Sequence, residues 1–561
     1  MSKFFFIIIL IIAAFFRFYG GNWDQNQHLH PDERFLTMVA TAMKWPANAI
    51  QYLDTSNSTL NPHNIGYGFY VYGTFPVILV KFIAEALKMG DYNGLTLVGR
   101  AVSGILDLGT VVLVFLISRR LFKSTSAALL AMFVYAISVL PIQLSHFFAV
   151  DTPLVFFLVL SFYLLIMRSP FLGIAFGLAV ASKISVVLFA PVILIGFVIH
   201  FFSHSRRQTL LFAICFLLFA VLTVRLAYPY MFDGFVLNQK LLTNWRDLNA
   251  ISQPNIGFPP ATQWFHAQPG VYSLNNLLYL GFGLPLGVIA LAALSYALIR
   301  FHRHPFVLLA IGWTIPFFIY QSLQFAQAMR YTYPVYPFLA IANGIFLYQI
   351  FKINKFLFSV VITLVLVWPL AFISIYSRPH SRVVASEWML KNIPSGSSLA
   401  CEHWDDCLPL GYHFPPYIGV EFPLYGPDTP QKWIDMNQKL AQVDYIVLSS
   451  NRLYGSIMTL PERFPQTTKY YQSLFDGSLG FTPVAQFTSR PNLPIPGLNI
   501  CLAPSNIIYG KIAKSIQDCP LPGISFVDDY ADETFTVIDH PKVIIFKKTS
   551  PFNGFNESSF Q

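Results

Sequence analysis

His28-Leu29-His30-Pro31-Asp32-Glu33-Arg34 lies just past the first hydrophobic segment of the chain. Two adjacent carboxylates, two imidazoles and a guanidinium stand there, where a chain leaving a bilayer ordinarily places a short polar loop. Chemistry at a membrane surface is one reading. The other is a helix start, because Pro31 suits a first turn and acidic side chains favour the positive end of the helix dipole. The rest of the chain decides how the stretch is used.

Of 561 residues, 55% are hydrophobic and only 11% charged, against roughly 25% charged in an ordinary soluble domain. That composition is the composition of an integral membrane protein. The net charge of +9 does not point to nucleic acid, because the basic residues fall in short clusters between apolar runs. Those clusters act as a topology signal.

A hydrocarbon core needs about 20 apolar residues per helix. Apolar runs follow the first segment, 1–16, at approximately 98–118, 125–140, 153–167, 170–182, 184–202, 208–224, 273–299, 305–322, 331–350 and 356–376. The expected fold is therefore a polytopic α-helical membrane protein of about 11 spans. The linkers holding Arg119 and Arg120, Arg168, Arg206 and Arg207, Arg300 and Arg303, and Lys352 all fall on one side if the N-terminus is cytoplasmic. That count closes only if residues 69–88 do not cross. Lys81, Glu85 and Lys88 recur at helical spacing beside an apolar face there, which suits a helix along the interface.

Residues 1–376 are then a transmembrane domain. Residues 17–97 form a large first exoplasmic loop and 225–272 a second. Residues 377–561 are read as a soluble exoplasmic domain of α/β type, with a helix at 386–392 and strands at 398–401, 444–448, 484–487, 534–538 and 542–546. Four of the five cysteines lie in this tail. Two disulfides in an oxidising compartment are expected, with Cys401–Cys407 and Cys501–Cys519 the most local of three connectivities. Zinc is the lesser alternative, since the spacing fits no common zinc pattern.

Several polar residues are hard to place in a bilayer. Asp151, in His146-Phe147-Phe148-Ala149-Val150-Asp151-Thr152-Pro153, is either a helix cap or a second carboxylate facing the first loop. Lys183 sits at an outer turn or inside the leaflet, where a lysine snorkels or pairs with an anion. Arg330, in Met329-Arg330-Tyr331-Thr332-Tyr333-Pro334-Val335-Tyr336-Pro337, has the same position, and Arg225 opens the second long loop. Three cations on one leaflet face would make a phosphate clamp. Glu402, His403, Asp405 and Asp406 cluster between Cys401 and Cys407. A solvated acidic loop is the first reading of them, and acceptor recognition the second.

The acidic pair after the first span, the His146–Pro153 segment and the Arg330–Pro337 segment together resemble the GT-C membrane glycosyltransferases, of the bacterial protein mannosyltransferase and aminoarabinose transferase type. The resemblance covers residues 1–376. It implies a polyprenyl-phosphate-linked sugar as donor and transfer on the exoplasmic side with inversion, in a bacterial-type inner membrane. Asp32 matches the family's first-loop acidic position, with Glu33 completing the pair, and Asp151 matches the second. Asp32 is the expected base, and Lys183, Arg330 and Arg225 the expected phosphate ligands. His30 and His146 are candidates for a divalent metal or the acceptor; metal dependence varies within the superfamily and stays open, and no other cofactor is implied. The tail lacks the Trp-Trp-Asp motif of oligosaccharyltransferases, Trp404-Asp405-Asp406 being only superficially similar. The expected acceptors are therefore a glycolipid, a surface polysaccharide or a protein hydroxyl. A transporter or flippase of a lipid-linked substrate is the competing class, but no internal repeat supports it.

Overall fold

The computed structural model describes residues 2–203, 205–254, 259–411, 416–502, 519, 521–529 and 531–552. Among these, six helices are long and apolar enough to cross a membrane, including Tyr92–Phe122, Arg206–Ala227 and Pro305–Ser322. A seventh span is counted if Thr125–Ala136 and Val139–Ser145, bent by 58° at the break between them, are taken together.

The difference from about 11 has local causes. Asp151–Met167, Leu172–Ser182 and Leu284–Arg300 are apolar but short, and the first helix, Ser2–Phe18, has 17 residues. The expected run at 273–299 is interrupted by a π-helical stretch, Asn276–Gly281, before Leu284–Arg300 begins. Residues 69–88 hold a single 12-residue helix, Phe75–Ala86. At 1.5 Å per residue it cannot cross a bilayer. Its Val77, Val80 and Ala84 are buried, and Lys81 pairs with Glu85 at 2.8 Å.

One buried ion pair ties the start of the chain to the bundle. Arg17, at the end of Ser2–Phe18, donates from Nε to Asp107 at 2.8 Å, and Tyr135 and Tyr333 each donate a hydroxyl to the same carboxylate at 2.6 Å. Four segments meet there with every charge paired, as burial demands.

Beyond the helices, a five-stranded mixed sheet has the order Ile418–Phe422, Ser398–Glu402, Tyr445–Leu448, Val543–Lys548, Phe481–Phe487. The first three strands are parallel, and Val543–Lys548 is antiparallel to both its neighbours. Alternate residues face opposite sides. Ala400, Ile446, Leu448, Ile544 and Phe546 pack with Trp433, Met436 and Leu440 of the helix Pro430–Gln442. Leu399, Tyr445, Val447, Val543 and Ile545 pack with Ala385 and Met389 of the helix Ser381–Asn392. A three-stranded sheet, Asn492–Leu493, Gly523–Phe526 and Asn499–Leu502, stands beside the larger one. Cys401 is bonded to Cys407 and Cys501 to Cys519, with Cα separations of 5.3 and 5.9 Å.

Residues 534–538 are not the expected strand. The Asp532 carboxylate caps a short helix, Glu533–Thr536, by accepting from the Thr534 amide at 2.8 Å. This segment is the tail's foothold on the bundle. Phe535 belongs to the large apolar core, stacked against Trp368 with ring centres 6.2 Å apart. Gln143 donates to the Phe535 carbonyl at 2.8 Å, Tyr376 donates to Asp539 at 2.8 Å, and Trp264 and Tyr272 donate to Asp532 at 3.0 and 2.6 Å.

Candidate active site

The helix Pro31–Ala42 is started by His30, whose Nδ1 accepts from the amides of Asp32 and Glu33 at 3.1 and 3.2 Å. The acidic stretch is thus a helix N-terminus as well as a charged cluster, with the imidazole as cap. Burial keeps the His30 ring neutral against the pull of Asp32 and Glu33. With Nδ1 accepting, Nε2 carries the proton.

Consecutive helix residues point about 100° apart, and here that rotation separates the two carboxylates. Asp32 pairs with Arg330. Glu33 is fully buried, 2.5 Å from Arg100, and accepts from the Phe148 amide at 2.8 Å. Arg100 also binds Asp24 at 2.8 Å and lies over the Trp23 ring at 4.7 Å. Glu33 therefore joins a structural ion triad instead of completing a catalytic pair, which corrects the expectation from sequence.

Asp151 opens the helix Asp151–Met167, but its carboxylate makes no cap bond there. It pairs with Lys183 at 2.7 Å. Lys183 ends the helix Leu172–Ser182 in an extended conformation, where the chain breaks before Ile184–Phe189. The Gly73 amide donates to the Ser182 carbonyl at 3.1 Å, tying the first loop to that break. A Cβ at Gly73 would stand 1.8 Å from the Ala181 carbonyl oxygen, so only glycine allows this approach.

The two ion pairs share Tyr331. Its ring centre is 5.5 Å from Lys183 Nζ and 5.8 Å from the Arg330 guanidinium carbon, a cation–π distance for both. Burial opposes ionisation of Asp32, but Arg330, with Lys183 adding to it, holds the carboxyl well below the usual carboxylate range. The result is two ion pairs, Asp32–Arg330 and Asp151–Lys183, whose cations flank one aromatic ring, that of Tyr331.

A cavity of about 390 Å³ opens beside this ring, lined by His30, Asp32, Tyr72, Arg330 and Tyr331 on one side. Residues of the second long loop, including Trp264, form another wall. The tail supplies Trp404, Arg452, Glu533 and Thr534. Sequence reasoning singled out Asp32, Asp151, Lys183 and Arg330, and the structure brings them together. It missed the places of Glu533 and Arg452 in the cavity lining, which no motif announces.

Other expected site residues lie elsewhere. Arg225, in the last turn of Arg206–Ala227, donates to the Pro229 carbonyl at 3.3 Å and faces Phe232, outside the cavity lining. His146 is bonded through both ring nitrogens, to the carbonyls of Ile142 at 2.8 Å and Tyr19 at 3.0 Å, and stacks on Tyr376. It is a structural pin. Asp405 is no solvated acid: it is buried against Arg382 at 2.7 Å, while Asp406 binds Arg382 at 2.8 Å and Arg34 at 3.2 Å.

These pairings decide how well the donors fit a metal ion. Asp32 and Asp151 each face a cation, His30 Nδ1 and both His146 nitrogens are occupied, and no three His, Cys, Asp or Glu converge among the described residues. The donor set as arranged does not fit a divalent ion.

Residues 93–230 match the family of dolichyl-phosphate-mannose-protein mannosyltransferases. The chain is similar in structure to the oligosaccharyltransferase of Archaeoglobus fulgidus in its apo form, at 15% identity over 93% of this chain and 75% of that one, with a TM-score of 0.51. The same archaeal enzyme in complex with zinc and sulfate is matched at 16% identity over 83% and 71%, with a TM-score of 0.50. ArnT from Cupriavidus metallidurans bound to undecaprenyl phosphate is matched at 15% identity over 82% and 94%, with a TM-score of 0.41. No curated protein matches the chain. This multi-pass membrane protein thus has a fold similar to that of the archaeal oligosaccharyltransferase, and its residues 93–230 are similar to the dolichyl-phosphate-mannose-protein mannosyltransferases.

Proposed function

We propose that the protein transfers a sugar from a polyprenyl-phosphate carrier to an acceptor on the outer face of a bacterial inner membrane, with inversion at the anomeric carbon. The two ion pairs Asp32–Arg330 and Asp151–Lys183, joined through Tyr331, carry the proposal. The mannosyltransferase match at 93–230 supports a lipid-phosphate donor.

In the donor-free state both cations are engaged by carboxylates. A donor phosphate competes for them, because guanidinium and ammonium groups make strong charge-assisted bonds to phosphate oxygens. Arg330 turning to phosphate removes the main force that holds the Asp32 carboxyl so acidic. Asp32 regains basicity at the moment a donor is present, and accepts the proton of the acceptor hydroxyl as that oxygen attacks the anomeric carbon. The bond to phosphate breaks as the new glycosidic bond forms on the opposite face. Arg330 and Lys183 stabilise the extra charge on the departing polyprenyl phosphate, while Asp151 holds Lys183 in place.

The topology that fits this chemistry has a cytoplasmic N-terminus, with the tail outside, where its cysteines would oxidise.

The test is release of polyprenyl phosphate by the purified protein from a panel of polyprenyl-phosphate sugars, with cell-envelope extract as acceptor, beside Asp32→Asn. Sugar-dependent release lost in the variant is expected. Donor movement across liposomes without release would instead make the protein a flippase.

A further inference from the structure

The tail's contribution to the cavity is not used by the chemistry above. Trp404 lines it with its side chain 45% exposed. Its backbone φ is +76°, in the left-handed region that a bulky residue occupies only under strain. Such strain persists where the surroundings enforce it and is concentrated at functional sites. The enforcement is visible here. The Cys401–Cys407 bridge closes the loop, Arg382 holds Asp405 and Asp406, and Arg452 donates to the Trp404 carbonyl at 2.9 Å.

Arg452 also reaches Glu533 Oε2 from Nε at 3.0 Å, and both side chains line the cavity. Glu533 is fixed in turn, its amide donating to Gln263 at 3.2 Å. The Thr534 hydroxyl next to it lies 3.5 Å from the amide of Met329, the residue before Arg330. An exposed indole, a carboxyl and a guanidinium therefore line the same cavity as the Asp32–Arg330 pair.

From this arrangement we infer that Trp404, Arg452 and Glu533 form an acceptor subsite for a hydroxyl-rich sugar ring, so that the acceptor is a glycan and not a protein side chain. The inference rests on the transferase reading for which substrate occupies this wall. An indole presents a flat apolar surface that suits the C–H face of a pyranose. A carboxyl and a guanidinium lining the same cavity accept from and donate to ring hydroxyls. Burial outweighs Arg452 and raises the Glu533 carboxyl to about 7, so near neutral pH it is available both to accept from a hydroxyl and to donate to one.

The test uses the full-length protein in nanodiscs, an array of bacterial cell-envelope oligosaccharides, a set of serine- and threonine-rich peptides, and undecaprenyl phosphate. Wild type is expected to bind one or more of the glycans and none of the peptides. Trp404→Gly and Glu533→Gln should each weaken that binding at least tenfold. Trp404→Gly suits the left-handed backbone, so its thermal midpoint should hold or rise, which a merely structural tryptophan would not allow. Glycan binding unchanged in both variants, peptide binding dependent on Trp404, or no glycan bound by a wild type that does bind undecaprenyl phosphate would each overturn the subsite. A wild type that binds no undecaprenyl phosphate would instead remove the transferase reading, whatever the glycan result.

Discussion

Asp32 and Glu33 are neighbours in the chain, yet each is committed to a different arginine. Asp32 meets Arg330 from the far end of the bundle at the cavity edge, and Glu33 meets Arg100 in its interior. The first pair is partly exposed and exchangeable; the second is sealed.

That division predicts opposite phenotypes for two adjacent isosteric changes. Asp32→Asn should lower transfer by about 10²–10⁴-fold, the usual contribution of a general base, with little change in thermal midpoint. Glu33→Gln leaves Arg100 paired with Asp24 alone and weakens the bonds that the Glu33 carboxylate accepts from Arg100 and from the Phe148 amide, a loss of about 1.5–3 kcal/mol of stability. Thermal unfolding and polyprenyl phosphate release, measured on both variants, separate the two roles.

Gly73→Ala should weaken donor binding without touching any charged group. Its new methyl would collide with the Ala181 carbonyl and push the turn that presents Lys183. The expected result is a rise of tenfold or more in the donor KM with a smaller change in kcat. An unchanged KM would mean that Lys183 is positioned by Asp151 alone.

Docking of the tail should weaken in alkali. Burial works against a charged His540, but Asp539 and Asp528 outweigh it and raise the ring to about 9, from an ordinary 6.5. Below pH 6.5 the ring is protonated whether the tail is folded or not, and the contribution is complete. It is lost as pH rises from 6.5 through 9, a change of a few kcal/mol. Limited proteolysis around residues 528–540 should accelerate over that interval, and His540→Gln should flatten the dependence.

Glu402 predicts a slope with a different origin. It is buried, accepts from Tyr471 at 2.6 Å, and burial lifts its carboxyl to about 8 from 4.5. The folded tail keeps the proton that the unfolded chain has already lost, so Glu402 lowers stability progressively from pH 4.5 to 8. Glu402→Gln should raise the thermal midpoint at pH 8 and leave it nearly unchanged at pH 4.

Asp32, Asp151, Lys183 and Arg330 stand out in the sequence because an ionisable group beside a long apolar run needs a partner; that they partner one another, Asp32 with Arg330 and Asp151 with Lys183, is visible only in the structure. The fate of Glu33 was not legible: a step of one residue on a helix chooses between two faces, and the faces are defined only by Arg100 and Arg330, which lie 67 and 298 residues from their acidic partners. Residues 534–538 failed for another reason. Five mostly apolar residues fit a strand or a helical turn equally, and the Asp532 cap decided between them. His146 and Arg225 were read as free because carbonyl partners carry no signature in sequence. Trp404 was read as part of a solvated loop, since a left-handed backbone at tryptophan follows from the bridge and the arginines around it and from nothing local.

The short helix Glu533–Thr536 has a consequence for how the protein is made. Arg330 leaves the ribosome roughly 200 residues before the wall that faces it, a delay of about 10–40 s at 5–20 residues per second. Throughout that interval the helices can be threaded into the bilayer with Arg330 answered by Asp32 and Lys183 by Asp151, so the nascent bundle exposes no unpaired charge of these two pairs to lipid. Its pocket nevertheless lacks the wall that Glu533 and Thr534 supply until Phe535 seats against Trp368. The ion pairs of the proposed donor site can thus be assembled early in synthesis, and the tail wall of the proposed acceptor subsite only late.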